Sequence, residues 1–246
     1  MLERSFSVGE SFSRAWTAFS AKMGVVIGGI FIFMLISIFG GIIPILGVIY
    51  NIVIAPVVIG GAYILVMNAV NRRQVEVGNI FDGFRNFGTW LGVHWLLFAI
   101  TFAAAIPGGI IAVIGAAVGG DGGEVLMVVG IILGVIGAFE VTLIWGLCFW
   151  VIADNWHEGS IITALKKSAM ITRGNRGRLF LSYLLGGLLG LAGILALGVG
   201  VIFTAPLAWC FLGSVYKELR EIYEGVERGA SETAAPGAPG EAEEGR

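Results

Sequence analysis

The sequence predicts an all-α integral membrane protein with six transmembrane helices in three hairpins, each preceded by a short amphipathic interfacial helix. Only 13% of the 246 residues are charged, whereas a soluble domain is about 25% charged. Lys and Arg are missing from three long stretches, 23–71, 86–165 and 179–216, and apolar runs above about 18 residues indicate membrane crossings. A large buried α/β core would need turn signals and polar faces every roughly ten to fifteen residues, which these stretches lack.

The first stretch holds two of the predicted helices. A crossing needs about 20 residues, so 23–71 is too long for one helix and suits a pair at 23–41 and 47–70. Gly40, Gly41 and Pro44 lie near the middle of this stretch and supply the break, since Gly pairs and Pro end or kink helices.

The middle stretch divides at a polar, glycine-rich turn. Residues 119–123 read Gly-Gly-Asp-Gly-Gly, a composition typical of turns. The helices predicted on either side are 88–117, with a kink at Pro107, and 125–153.

The last stretch also exceeds one crossing. Its 38 residues, 179–216, would form a helix of about 57 Å, against a bilayer core of about 30 Å. A turn near Gly198 gives helices at 179–197 and 201–222, which complete a membrane domain over 1–222. Residues 223–246 are rich in Gly, Ala, Pro and Glu, which predicts a disordered acidic cytoplasmic tail.

The basic residues set the predicted orientation. Six crossings place every Lys and Arg on one side, together with both termini, while the opposite turns carry only Asp121 and Glu124. The positive-inside rule makes the basic side cytoplasmic. We therefore expect a multi-pass protein of the cell inner (plasma) membrane, with both termini in the cytoplasm.

A similar short segment containing a glycine precedes each hairpin, at 8–19, 77–87 and 158–169. In the first, Phe12, Trp16 and Phe19 have the spacing of one helix face. The pattern predicts amphipathic helices on the cytoplasmic interface. For the first segment, the alternative is the cytoplasmic end of the first crossing helix.

Several short motifs resemble a known family. They are Phe81-Asp-Gly-Phe-Arg-Asn-Phe87, Asp154, Ala164-Leu-Lys-Lys-Ser168 and the Arg173–Arg178 turn before an apolar helix. Over roughly residues 6–222 the chain resembles an uncharacterised family of bacterial six-helix membrane proteins, allied to the membrane region of glycerophosphodiester phosphodiesterases. The resemblance implies a helical membrane fold. It transfers no catalytic residue, because the chemistry of those enzymes resides in a separate soluble barrel.

Glu140 is the only formal charge expected deep in the bilayer. It lies about 13 residues, or roughly 20 Å, from the cytoplasmic end of its helix, where an ionisable group is a candidate functional site. Thr101 and Ser37 are at similar predicted depth and could hydrogen-bond it. The group either binds a proton or cation, or is a protonated Glu that links helices. We favour the second interpretation, because a lone carboxylate makes a poor relay.

The densest basic cluster follows the fourth predicted helix. It can bind anionic lipid headgroups on the cytoplasmic side, or it can serve only to determine topology. Its members are Lys166, Lys167, Arg173, Arg176 and Arg178.

The sequence carries no pattern typical of catalysis or cofactor binding. Two distant histidines, His94 and His157, and two cysteines without motif spacing, Cys148 and Cys210, give no metal ligand set. With a net charge of −2, nucleic acid is not an expected partner. We therefore expect a non-enzymatic membrane scaffold or partner protein without a cofactor. The alternative is a small-molecule or ion transporter or channel with a polar path past Glu140.

Overall fold

The computed structural model describes residues 6–42, 44–196, 198 and 200–234. These residues form ten α-helices, one π-helical segment and one 3-10 segment, with no strand among them. The α-helices are α1 (Val8–Ala21), α2 (Met23–Ile42), α3 (Pro44–Ile49), α4 (Ala55–Val70), α5 (Phe87–Val118), α6 (Gly120–Trp145), α7 (Cys148–Ala153), α8 (Ile161–Thr172), α9 (Arg176–Leu195) and α10 (Val201–Ala234).

Five helical stretches of the described chain are long and apolar enough to cross a membrane. They are Met23–Gly41, Gly47–Val70, Val77–Val118, Gly120–Ala153 and Arg176–Leu195. The predicted sixth helix, 201–222, lies within α10, but its apolar part gives way to Lys217 and Glu218 after about 16 residues, or roughly 24 Å. The all-helical class and five membrane-length helices thus agree with the sequence, and the sixth crossing stays a prediction.

The predicted interfacial segments form short helices of two kinds. The hydroxyl of Ser7 accepts the Glu10 N–H at 3.4 Å and begins α1, which ends at Ala21 before the separate helix α2. Ser160 caps α8 in the same way through the Thr163 N–H. The segment Val77–Asn86 is instead a 3-10 helix.

Glycine lets the 3-10 segment lie directly against α4. A Cβ on Gly83 would stand 2.1 Å from the carbonyl oxygen of Val57, and a Cβ on Gly61 would stand 1.8 Å from that of Ile80. Only glycine permits two backbones to approach this closely.

A π-helical segment, Tyr50–Ile54, interrupts the helix predicted at 47–70. Pro56 follows it and has no N–H to donate to the carbonyl of Ile52, four residues earlier. The indole Nε1–H of Trp95, on α5, donates to that carbonyl at 2.9 Å. The proline thus frees a backbone acceptor that fastens α5 to the π-helical segment before α4.

The helix predicted at 125–153 is divided at Gly146 and Leu147 into α6 and α7. Near the break, the carbonyl of Ile144 accepts the hydroxyl of Ser168 at 3.0 Å. The side chain from α8 satisfies a backbone group at the break, so α8 packs where α6 ends.

Helices α5 and α6 pack backbone against backbone. A Cβ on Gly108 would lie 2.2 Å from the Gly134 nitrogen, and one on Gly130 would lie 2.3 Å from the Ala112 nitrogen. Beyond Leu97, the only buried residues of α5 are Gly108 and Gly115. We call this contact the glycine seam; the large side chains beside it are exposed, as for Val113 at 70%.

An aromatic core forms at the other end of α5. Tyr63 on α4 has ring centroids 4.7 Å from Trp150, 4.9 Å from Trp209 and 5.3 Å from Phe149. Trp90 stacks on the same ring at 6.2 Å and is 1% exposed. Such contacts add roughly 0.5–1.5 kcal/mol per pair beyond the burial of apolar area, and here they join α4, α5, α7 and α10.

The tail begins later than the sequence predicted. α10 continues through residues 223–234, because charged and polar residues one turn apart support it: Arg220 bonds Glu224 at 2.7 Å and Tyr223 bonds Glu227 at 2.6 Å. The prediction of disorder is therefore wrong for 223–234, and its remainder, 235–246, lies outside the described residues.

Candidate functional site

Polar side chains gather where α1, the end of α4, the end of α7 and residues 214–224 of α10 meet. We call this region the charged end. At its centre the carboxylate of Asp154, with its side chain 3% exposed, accepts hydrogen bonds from Asn71 at 2.7 Å and Arg73 at 3.1 Å and forms an ion pair with Arg220. Asn71 and Arg73 follow α4, Asp154 follows α7, and Arg220 lies on α10. One buried carboxylate therefore holds the last helix of each predicted hairpin.

Two cationic side chains lie over the ring of Trp156, two residues after Asp154. The ammonium of Lys167 and the guanidinium of Arg220 lie 4.7 Å and 4.8 Å from the centroid of the Trp156 ring, within cation–π distance. Lys167 also donates to the Trp156 carbonyl at 2.8 Å and to Glu158 at 2.5 Å. The hydrogen bond from Lys167 lowers the pKa of Glu158, and α8 is thereby fixed to the charged end.

His157 lies in the same turn and is buried. Burial, and then the positive charge of Lys167, lower the pKa of its imidazole. Because Nδ1 has no hydrogen-bond partner in the described part of the chain, the neutral ring is the form that this environment favours.

Helix α1 is clamped to α10. The carboxylate of Glu218 accepts the Ser7 N–H at 2.8 Å and the Ser11 hydroxyl at 2.6 Å. Arg14 pairs with Glu221 at 2.8 Å, and this hydrogen bond raises the pKa of Arg14. The N-terminal amphipathic helix thus depends on the last helix for its position.

A cavity of about 500 Å³ opens between α1, the end of α4 and α10. Three cationic residues and one carboxylate line it, Arg14, Arg72, Lys217 and Glu221, together with the hydroxyls of Ser13, Thr17 and Ser214. We call it the α1–α10 cavity. Its cations exceed its carboxylate in number, so it suits an anion.

A second cavity, of about 430 Å³, lies on the other side of α4, between the 3-10 segment and the end of α7. Both of its cations are paired: Arg73 binds Asp154, which lies outside the lining, and Arg85 lies 3.6 Å from Asp82 in the lining. Paired charges leave a weaker field for a ligand, so this cavity is the poorer anion site.

Glu140 lies on the surface of the helices and not in their interior. Its side chain is 52% exposed, and one carboxylate oxygen lies 3.5 Å from the guanidinium of Arg176, which is 50% exposed. In the described part of the chain no hydrogen bond joins it to Thr101 or Ser37. Glu140 thus has a charged partner, Arg176 at the start of α9, which the sequence alone did not predict.

The basic cluster is only partly free to contact lipid. Lys167 binds Trp156 and Glu158, Arg176 pairs with Glu140, and Arg178 donates to the Phe6 carbonyl at 2.7 Å. Among the described residues, Lys166 and Arg173 have neither an ion pair nor a side-chain hydrogen bond. The prediction of anionic-lipid contacts stays strongest for these two.

The sequence alone did not predict that the carboxylates of Asp154 and Glu218 hold helices together. It also did not predict that Arg72, Lys217 and Ser214 line one cavity. For the four charged residues the signal was a position directly after an apolar run, since such a side chain can turn back onto the helix ends. Ser214, inside an apolar run, gave no such signal. Partners such as Asp154 and Arg220 are 66 positions apart, and nothing in the spacing pairs them. Among the described residues, no group of three or more His, Cys, Asp and Glu side chains is placed to hold a metal ion.

Comparison of the chain with protein-family models, with curated proteins and with solved structures gives no match. The resemblance to six-helix bacterial membrane proteins therefore stays a prediction from sequence motifs.

Proposed function

We propose that the chain is a polytopic protein of the cell inner membrane that crosses six times as three hairpins, with the charged end in the cytoplasm. Within the membrane it acts as a non-enzymatic scaffold for a protein partner. The five membrane-length helices and the collection of Lys and Arg at one end support this arrangement.

The closed apolar core is the observation that carries the scaffold proposal. Cys148 and Cys210 are fully buried in it, beside the stacked ring of Tyr63 and its neighbours. Transport sites in membrane proteins are usually built from polar groups around a cavity near the bilayer midplane. Glu140, the residue expected to mark such a path, lies on the outer surface with Arg176.

The two native thiols test the closed core. A charged, membrane-impermeant methanethiosulfonate applied to the chain in lipid nanodiscs should leave both unmodified, because a charged reagent needs a water-filled route. A Ser13→Cys variant places a thiol at the exposed start of the charged end and should react quickly. Denaturation in detergent should make Cys148 and Cys210 reactive. Rapid labelling of either native thiol in nanodiscs would overturn the proposal.

Reconstitution separates the scaffold from the transporter. Proteoliposomes loaded with a pH-sensitive dye or with radiolabelled ions should show no flux above that of empty liposomes. Purification in native lipid should retain a protein partner in a fixed ratio. Flux that is lost in Glu140→Gln would instead support a conducting path past that residue.

A further inference from the structure

The α1–α10 cavity differs from the rest of the charged end because its cations are not matched by carboxylates. Arg14 is paired with Glu221. Lys217 makes one long hydrogen bond, at 3.4 Å, to the neutral carbonyl of Val70, and Arg72 has no ion pair among the described residues. Two positive charges therefore face a cavity without a counter-charge.

The end of α4 creates this separation. Arg72 has a left-handed backbone, with φ of 55°, which is uncommon for a residue with a side chain. The Arg72 N–H donates to the Ala69 carbonyl at 3.1 Å, and the Arg73 N–H donates to the Asn68 carbonyl at 2.9 Å. The turn sends Asn71 and Arg73 to Asp154 while Arg72 lines the α1–α10 cavity on the other side.

Ser214 supplies an independent sign of a ligand. It lines the cavity, is 1% exposed, and its hydroxyl has no hydrogen-bond partner in the described chain. A buried polar group without a partner is destabilising and uncommon. Ser214 lies one turn before Lys217, so the two side chains share a face of α10.

We propose that the α1–α10 cavity binds a phosphate group, with Arg72 and Lys217 as its cations and the Ser214 hydroxyl as a hydrogen-bond donor. Arg and Lys are the side chains that bind phosphate best, and hydrogen bonds to a charged oxygen are about twice as strong as neutral ones. The pair Arg14–Glu221 forms one wall. The carboxylate of Glu218 is occupied by Ser7 and Ser11 on α1.

The phosphate belongs either to a lipid headgroup or to a soluble phosphate compound. The full chain in phosphatidylcholine nanodiscs is titrated with inorganic phosphate by calorimetry. In parallel, nanodiscs that also contain phosphatidate are analysed by native mass spectrometry for retained lipid. Saturable binding of phosphate alone identifies a soluble ligand, and retention of phosphatidate over phosphatidylcholine identifies a lipid headgroup. Both results support the site.

Variants locate the binding. Arg72→Gln with Lys217→Gln should weaken it by about tenfold or more, since each removes a charge-assisted bond. Arg85→Gln, which removes a cation from the other side of α4, should change it by less than about twofold. Ser214→Ala should weaken binding without lowering the melting temperature, because it removes a hydroxyl that has no hydrogen-bond partner among the described residues.

The Ser214→Ala measurement keeps the test valid where the double variant does not fold. The site is overturned if neither phosphate nor phosphatidate binds. It is also overturned if Arg85→Gln weakens binding as much as the double variant, or if Ser214→Ala leaves the affinity unchanged. These results do not depend on the scaffold proposal, which is tested by thiol labelling and flux.

Discussion

The glycine seam between α5 and α6 and the aromatic core are two regions that are stabilised in opposite ways. In the hairpin, glycines bring two backbones into contact and the large side chains lie exposed on the outside. In the core, Tyr63 and its aromatic neighbours interlock, and charged residues close one end. In hydrocarbon, exposed apolar side chains carry no penalty. A pair of helices there needs close packing, whereas the end that meets water needs satisfied charges.

The largest expected effect is at the charged end. Asp154→Asn removes the carboxylate that holds Arg73 and Arg220, so it should lower the free energy of unfolding by about 3 kcal/mol. Asp82→Asn, which removes the partner of the mostly exposed Arg85, should cost less than about 1 kcal/mol. Thermal unfolding in nanodiscs measures both. Equal losses would mean that the Asp154 network does not hold the helices together.

The glycine seam gives the next effect through two adjacent residues. A Cβ on Gly108 would lie 2.2 Å from backbone, whereas one on Gly109 would meet nothing within 4 Å. Gly108→Ala should therefore destabilise the protein by about 1–3 kcal/mol. Gly109→Ala should be neutral or stabilise it by up to about 1 kcal/mol, because alanine favours helix.

Thermal unfolding in nanodiscs measures the stability of both glycine variants. If Gly108→Ala is as well tolerated as Gly109→Ala, backbone contact does not hold α5 against α6.

His157 should make the charged end sensitive to acid. Its pKa is lowered in the folded state by burial and by Lys167, so the unfolded chain binds more protons as the pH falls through the ordinary value of 6.5. Stability is thus full above that pH and declines below it, by less than about 1.4 kcal/mol per pH unit.

Melting temperatures measured between neutral and mildly acidic pH test this predicted loss of stability. His157→Gln should reduce the acid-induced loss, while Gly109→Ala, which changes no titratable group, should retain it. Identical pH profiles for wild type and His157→Gln would contradict the assignment.

The smallest effect is expected at Glu140. Its ion pair with Arg176 is half exposed on both sides and 3.5 Å long. On the proposed topology Arg176 begins α9 at the cytoplasmic side and keeps the pair within reach of the headgroup region and its water, so Glu140→Gln should change stability by less than about 1 kcal/mol. Arg176→Gln is the matched variant and should behave alike. A loss above about 3 kcal/mol would instead indicate that the pair is shielded from water and organises the fold.

The sequence was informative about helices and much less so about their interruptions. The predicted helix 88–117 matches α5 closely, since its long apolar run has few alternatives. The π-segment before Pro56 and the break at Gly146 were not foreseen. Both depend on distant partners, Trp95 for the Ile52 carbonyl and Ser168 for the Ile144 carbonyl. A local pattern does not reveal which side chain will satisfy a freed backbone group.

The sequence by itself determined the all-helical class, five of the six apolar helices that it predicted, and the long stretches without Lys or Arg. These follow from composition and run length, which act locally. Only the tertiary structure decided that Asp154 binds Arg220, that Glu140 binds Arg176, and that Arg72, Lys217 and Ser214 share a cavity. Such pairings depend on how helices far apart in the chain pack, because a charge near an apolar helix takes whichever partner the fold brings within reach.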